Sequence, residues 1–190
     1  MPLSQKKRYT LADALTWDES ERIELIDGYP VMMNPPTRAH QKAVMELSRQ
    51  LANYLAGKKC KVYPAPFGVR LFEQDGERPE DVDTMVEPDI CVVCDRNKLD
   101  KYGCRGVPDL IVEVLSPTTQ RHDQLVKLNL YQRAGVREYW IVDPENRTVR
   151  VMVQTGDCTL QIHEIYRRED VAKVNVLDGC FIELSKVFSE

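Results

Sequence analysis

Asp109-Leu110-Ile111-Val112-Glu113-Val114-Leu115 is a nearly continuous apolar run broken by one carboxylate, and this stretch with its flanks decides the fold. A run of this kind predicts a strand covered on both faces, in the middle of a sheet. Upstream, Val86 to Cys94 reads the same way. Downstream, Thr118 to Ala134 carries a long helical pattern closed by Gly135, and Glu138-Tyr139-Trp140-Ile141-Val142 is a further strand that stops at Asp143-Pro144. Strand, helix and strand in that order predict a crossover connection.

Toward the N-terminus, Thr10 caps a short helix through Leu15, and Arg22 to Asp27, Gly28, and Tyr29 to Met33 form a hairpin around a tight turn. Thr37 precedes a long helix in which Val44, Leu47, Leu51 and Leu55 recur at three- and four-residue intervals, ending at Gly57. Lys61 to Tyr63 and Gly68 to Phe72 are short strands, and the polar stretch Glu73 to Thr84 is an exposed loop. Toward the C-terminus, Thr148 to Val153 and Thr159 to Tyr166 pair across Gly156-Asp157, and Val174 to Phe188 adds a strand or two and a helical turn. No repeat or low-complexity linker divides the chain. The expectation is one α/β (α+β) domain over residues 1–190, with a mixed central sheet flanked by helices and additional β-hairpins toward the C-terminus.

A chain of 190 residues is long enough to close a core without metal or disulfide support. Its net charge of -4 argues against coating nucleic acid by bulk electrostatics, although it leaves room for a local basic groove. No segment is long and apolar enough to span a bilayer, and no apolar signal core follows the first charged residues, so a cytoplasmic location is expected. The six cysteines read as buried thiols of a reducing compartment. Cys91 and Cys94, with Cys104 nearby, suggest a zinc cluster only superficially, because positions three apart on a strand point to opposite faces.

The chemistry centres on two acids. Asp89 lies six positions before the loop Asp95 to Val107, and Glu113 six positions after it. An antiparallel pairing folded about Lys101 sets them opposite each other, with Cβ atoms about 5 Å apart. Two carboxylates that close repel unless one is protonated or a cation lies between them. Oxygen ligands of this kind suit Mg²⁺ or Mn²⁺, which keep waters and accept phosphate oxygens. Glu113 among Leu110, Ile111, Val112, Val114 and Leu115 would also carry a desolvation cost of several kcal/mol without a partner. Asp109, four residues earlier on the same face, is an alternative or supporting acid, although its place at the strand start suits a structural role. Asp123, Lys127 and Tyr131 recur every four residues and line one face of the second long helix. An ordinary Asp123–Lys127 surface pair is the plain reading, but this helix must pack back over the Glu113 strand, and the Lys127 stem can reach the acids. Tyr131 either buttresses the lysine or packs in the core. Glu24, between Ile23 and Leu25, and His40, on the apolar face of the first long helix, are polar residues on stretches that otherwise read as buried. Glu24 offers a further metal oxygen; His40 either orients a carboxylate, water or phosphate or is a structural histidine.

These residues resemble the Uma-two endonuclease family, abundant in cyanobacteria and part of the PD-(D/E)XK nuclease superfamily. The matching segments are Glu24-Leu25-Ile26-Asp27-Gly28, Pro35-Pro36 with His40, Glu87-Pro88-Asp89-Ile90, Gly106 to Thr118, Asp123 to Lys127, Tyr131, and Ala134 to Pro144. The resemblance implies a restriction-endonuclease-like core with Asp89 and Glu113 as acidic metal ligands. Where the superfamily signature puts a lysine two residues after the acid, this chain has Leu115. Related families move that lysine to the following helix, which matches Lys127, and Glu24 resembles an acid that some branches supply from an N-terminal element. The implied activity is Mg²⁺-dependent hydrolysis of DNA phosphodiesters, by a homodimer as in restriction-type nucleases. The competing expectations are a catalytically silent domain that binds nucleic acid or a protein partner, and a non-nucleolytic metal protein that uses the cysteines.

Overall fold

The computed structural model describes residues 7–18, 22–116 and 122–189, the side chains at positions 122 and 123 excepted. In chain order it contains α1 (Leu11–Ala14), the hairpin β1 (Ile23–Ile26) and β2 (Tyr29–Met32), α2 (Arg38–Leu55), β3 (Lys61–Pro64), β4 (Val69–Arg70) and β5 (Ile90–Val93). There follow β6 (Leu99–Asp100), β7 (Gly103–Arg105), β8 (Leu110–Val114), α3 (His122–Ala134) and β9 (Glu138–Asp143). The chain closes with β10 (Thr148–Gln154), β11 (Leu160–Arg167), β12 (Val171–Lys173), β13 (Phe181–Glu183) and α4 (Leu184–Val187).

The strand read first, β8, lies inside a six-stranded mixed sheet of order β11-β10-β9-β8-β5-β3. It runs antiparallel to β5 and, through the α3 crossover, parallel to β9. All five β8 residues are buried because helices cover both faces. Leu110 and Val112 face Ala43, Leu47, Leu51 and Leu55 of α2, whereas Ile111 faces Leu130 and Tyr131 of α3. Burying each Leu of that stripe contributes roughly 1.5–3 kcal/mol, which explains why α2 is held along its whole length. By strand alternation Glu113 shares the α3 side with Ile111, and that places it within reach of α3 side chains.

Helix ends follow their local chemistry. Thr10 and Asp13 form a capping box on α1, and Thr37 Oγ1 accepts from His40 N at 3.2 Å at the start of α2. The β1–β2 turn places Asp27 and Gly28 at φ 50° and 80°, the left-handed pair that a two-residue hairpin demands.

Several expectations need correction. The strand expected from Val86 to Cys94 begins only at Ile90, because Met85 and Val86 pair instead with Leu25 and Val69. The loop Asp95 to Val107 contains β6 and β7, which join β4 in a small separate sheet. The cysteines are not all free thiols: Cys60 is disulfide-bonded to Cys94. The physical reason is register, since Lys61 pairs with Val93 and the next step outward brings Cys60 opposite Cys94. Cys91 and Cys94 sit in the two different cores, on opposite faces of β5, so they do not share an ion. Pro117, Thr118 and the Asp123 side chain lie outside the described residues.

Candidate active site

The strands β5 and β8 pair as far as Ile90–Val112 and then part, with Pro88 breaking the ladder. Asp89 fills the gap with its side chain: Oδ2 accepts from Val114 N at 2.8 Å and from His40 Nε2 at 3.1 Å. His40 arrives from the first turn of α2, and because a carboxylate only accepts, Nε2 carries the proton. Its Nδ1 is buried and has no hydrogen-bond partner among the described residues.

Opposite Asp89, Glu113 Oε1 accepts from Tyr131 Oη at 2.5 Å and from Lys127 Nζ at 2.9 Å. The same ammonium donates to Glu24 Oε1 at 2.9 Å, and this oxygen also accepts from Glu87 N at 3.0 Å. Lys127 and Tyr131 are one helical turn apart on α3, so both reach the Glu113 carboxylate. Thus β1, β8 and α3 are tied through one lysine, and Asp89 joins β8 to α2. Each of the three carboxylates commits one oxygen to these bonds; Glu24 Oε2, Asp89 Oδ1 and Glu113 Oε2 make none among the described residues.

Electrostatics mark Glu113 as the strained member. Its carboxyl is raised to about 7: burial is the largest cause, Lys127 opposes it, and the charges of Asp89 and Glu24 add to it. For Lys127, burial acts to lower the value, but Glu113 and Glu24 outweigh it and hold the ammonium protonated. Tyr131 is raised well above its usual range, by burial first and by the Glu113 charge next, so it remains a donor.

Most of these groups, though not Tyr131, line one pocket of about 310 Å³. Glu24, His40, Asp89, Glu113 and Lys127 contribute to its wall, with Val31, Met32, Met33 and Pro36 from β2 and the loop after it. Asp109 is not brought there. Its Oδ2 accepts from Cys94 N at 2.7 Å and it pairs with Arg137, closing the far end of the β5–β8 pair. Two ionisable pocket residues escaped sequence reasoning: Arg22, paired with Glu87 at 3.0 Å, and Tyr139. For Arg22 the signal was available, since it precedes Glu24 by two positions and so shares its strand face.

Whether these donors suit a divalent cation is answered by two observations. Among the described residues, no group of three His, Cys, Asp or Glu side chains stands close enough to hold an ion. Two acids on adjacent strands do meet the need of Mg²⁺ or Mn²⁺, which take one or two carboxylates and complete their shell with water and phosphate. The oxygens of Asp89 and Glu113 that make no bond among the described residues fit that donor set, and the described lining holds no cysteine and no second histidine to favour a softer metal.

The family model Uma2, described as "Putative restriction endonuclease", matches residues 11–185. A Synechocystis sp. protein named "Uncharacterized protein slr1290" is 28% identical over 119 residues, a match spanning 62% of this chain and 58% of that protein. Among solved structures, a crystal structure from Anabaena variabilis, titled a putative nuclease belonging to DUF820, superposes with a TM-score of 0.72. That match covers 95% of this chain and 97% of the other at 19% identity, and it shows the fold alone. No helix among the described residues is long and apolar enough to cross a membrane.

Proposed function

Because this chain belongs to the Uma2 family, we propose that it is a metal-dependent endonuclease that hydrolyses DNA phosphodiester bonds in the pocket between β1, α2, β8 and α3. The observation that carries the proposal is the convergence of Asp89, Glu113, Lys127, Glu24 and His40 on one cavity from four separate elements and the segment just before β5. A purely structural ion pair needs one acid for one lysine; here two buried carboxylates share a single ammonium, and a third buried carboxylate meets an imidazole in the same pocket.

Asp89 and Glu113 would hold Mg²⁺ or Mn²⁺, and the ion would supply Lewis acidity toward a phosphate oxygen and the attacking water. The protein's own groups do the rest. His40 fixes the Asp89 carboxylate in one orientation, as a partner behind a ligand does. Tyr131 does the same for Glu113. Lys127, held protonated, places a fixed positive charge on the pocket floor, where charge develops on phosphorus-bound oxygens as water adds and the P–O ester bond breaks. Glu24 anchors that ammonium against β1. The reading extends to a cytoplasmic homodimer of one domain per chain, by analogy with restriction-type nucleases.

The test is cleavage of labelled DNA of several forms in Mg²⁺ or Mn²⁺. Metal-dependent cutting that falls at least a hundredfold in Glu113→Gln and Lys127→Met supports the proposal; cutting at the wild-type rate in both variants removes it. A silent nucleic-acid-binding domain would take up no divalent ion at Asp89 and Glu113 and would not cut.

A further inference from the structure

We infer that this site takes its DNA as an unpaired strand, one nucleotide deep, and not as an intact duplex. This rests on the nuclease reading above and deepens it by naming the substrate form.

Three observations point the same way. The acids are recessed: Asp89 and Glu113 are each 9% exposed and Glu24 is 2% exposed. One wall above them is mainly apolar. Strand β2 is exposed along all four residues, with Met32 63% and Val31 36% exposed, and Met33 and Pro36 continue the same wall. Finally, the described lining has no surplus positive charge. Its two cations with fixed charge, Arg22 and Lys127, are already paired with Glu87 and with Glu24 and Glu113.

A duplex is held chiefly by lysines and arginines that neutralise several phosphates along a stiff rod. This pocket offers it little, and the rod's backbone cannot reach a recessed floor unless a nucleotide swings out. An unpaired strand escapes that unstacking penalty. Its bases present π-faces to apolar side chains, and methionine sulfur makes favourable, sequence-tolerant contacts with aromatic rings. A cavity of about 310 Å³ stands at the small end of ligand pockets, which suits a single nucleotide.

The experiment is fluorescence anisotropy with the full chain in Ca²⁺, using a fluorescein-labelled single-stranded oligonucleotide, the same sequence as a blunt duplex, and a duplex with an unpaired flap. Expected is binding of the single strand and the flap at least tenfold tighter than the duplex, with Met32→Asp reducing that preference about tenfold. Met32 is exposed, so the variant should melt at the wild-type temperature. Equal or tighter binding of the duplex, no effect of M32D, or no binding of any probe overturns the inference. The two readings fail separately: no cutting in Mg²⁺ with the strand preference intact sinks the nuclease reading, whereas blunt duplex cut as fast as the single strand sinks only this one.

Discussion

Replacing Glu113 by Gln should make the metal-free protein more stable at pH 8, although it removes a proposed ligand. The buried carboxyl titrates at about 7 in the folded chain against 4.5 ordinarily. At about 1.4 kcal/mol per tenfold change in proton affinity, that difference corresponds to roughly 3 kcal/mol. The sign follows from proton counting. Between pH 4.5 and 7 the folded state retains a proton that the unfolded state has released, so stability falls as pH rises through this window and levels off above it. Gln keeps an oxygen to accept from Tyr131 and Lys127 but never ionises. Urea unfolding of both proteins in EDTA should therefore show the stability of E113Q relative to wild type growing by roughly 2–3 kcal/mol between pH 5 and 8. Titrating groups outside the pocket are common to both and cancel in the difference. A difference that does not change with pH, or an E113Q protein less stable than wild type at pH 8, would refute the electrostatic description of the site.

Lys127→Met leaves Glu24 and Glu113 buried without their shared counter-charge, and the expected cost is about 3–5 kcal/mol at pH 8. The cost should shrink at pH 5, where Glu113 holds its proton; urea unfolding at both pH values checks it. Tyr131→Phe deletes a fully buried donor to Glu113 and should cost about 1.5–3 kcal/mol by the same measurement. His40→Ala removes the group that orients Asp89, and a tenfold or greater loss of Mn²⁺ affinity is expected from calorimetry on a variant shown to be folded by its melting curve.

Much of this arrangement was legible before any coordinates. Equal spacing of Asp89 and Glu113 about Lys101 anticipated the register, because Ile90–Val112, Cys91–Ile111 and Val92–Leu110 are all centred on that residue. It held although the intervening segment carries β6 and β7, since an insertion at a hairpin tip changes neither arm. Those two strands were illegible because runs of two and three residues have no periodicity to read. The Cys60–Cys94 bond has no local signature, because it depends on strand pairing that brings together residues 34 apart in the chain. Asp109 illustrates the limit of face arguments, because sharing a face with Glu113 over four residues still leaves it roughly 13 Å away along the strand. Lys127 reached Glu113 as the four-residue rhythm of α3 implied, but its second contact, with Glu24, required the β1–β2 hairpin to fold against α3, a long-range packing outcome with no local signature.

The central claim is that Asp89 and Glu113 form a divalent-cation site, and isothermal titration of the wild-type chain and of Asp89→Asn and E113Q with Mn²⁺ tests it most directly. The account predicts saturable binding to the wild-type protein and at least tenfold weaker binding to each variant, with all three folded by their melting curves. Absence of saturable binding to the wild type, or equal affinity in the variants, would contradict it.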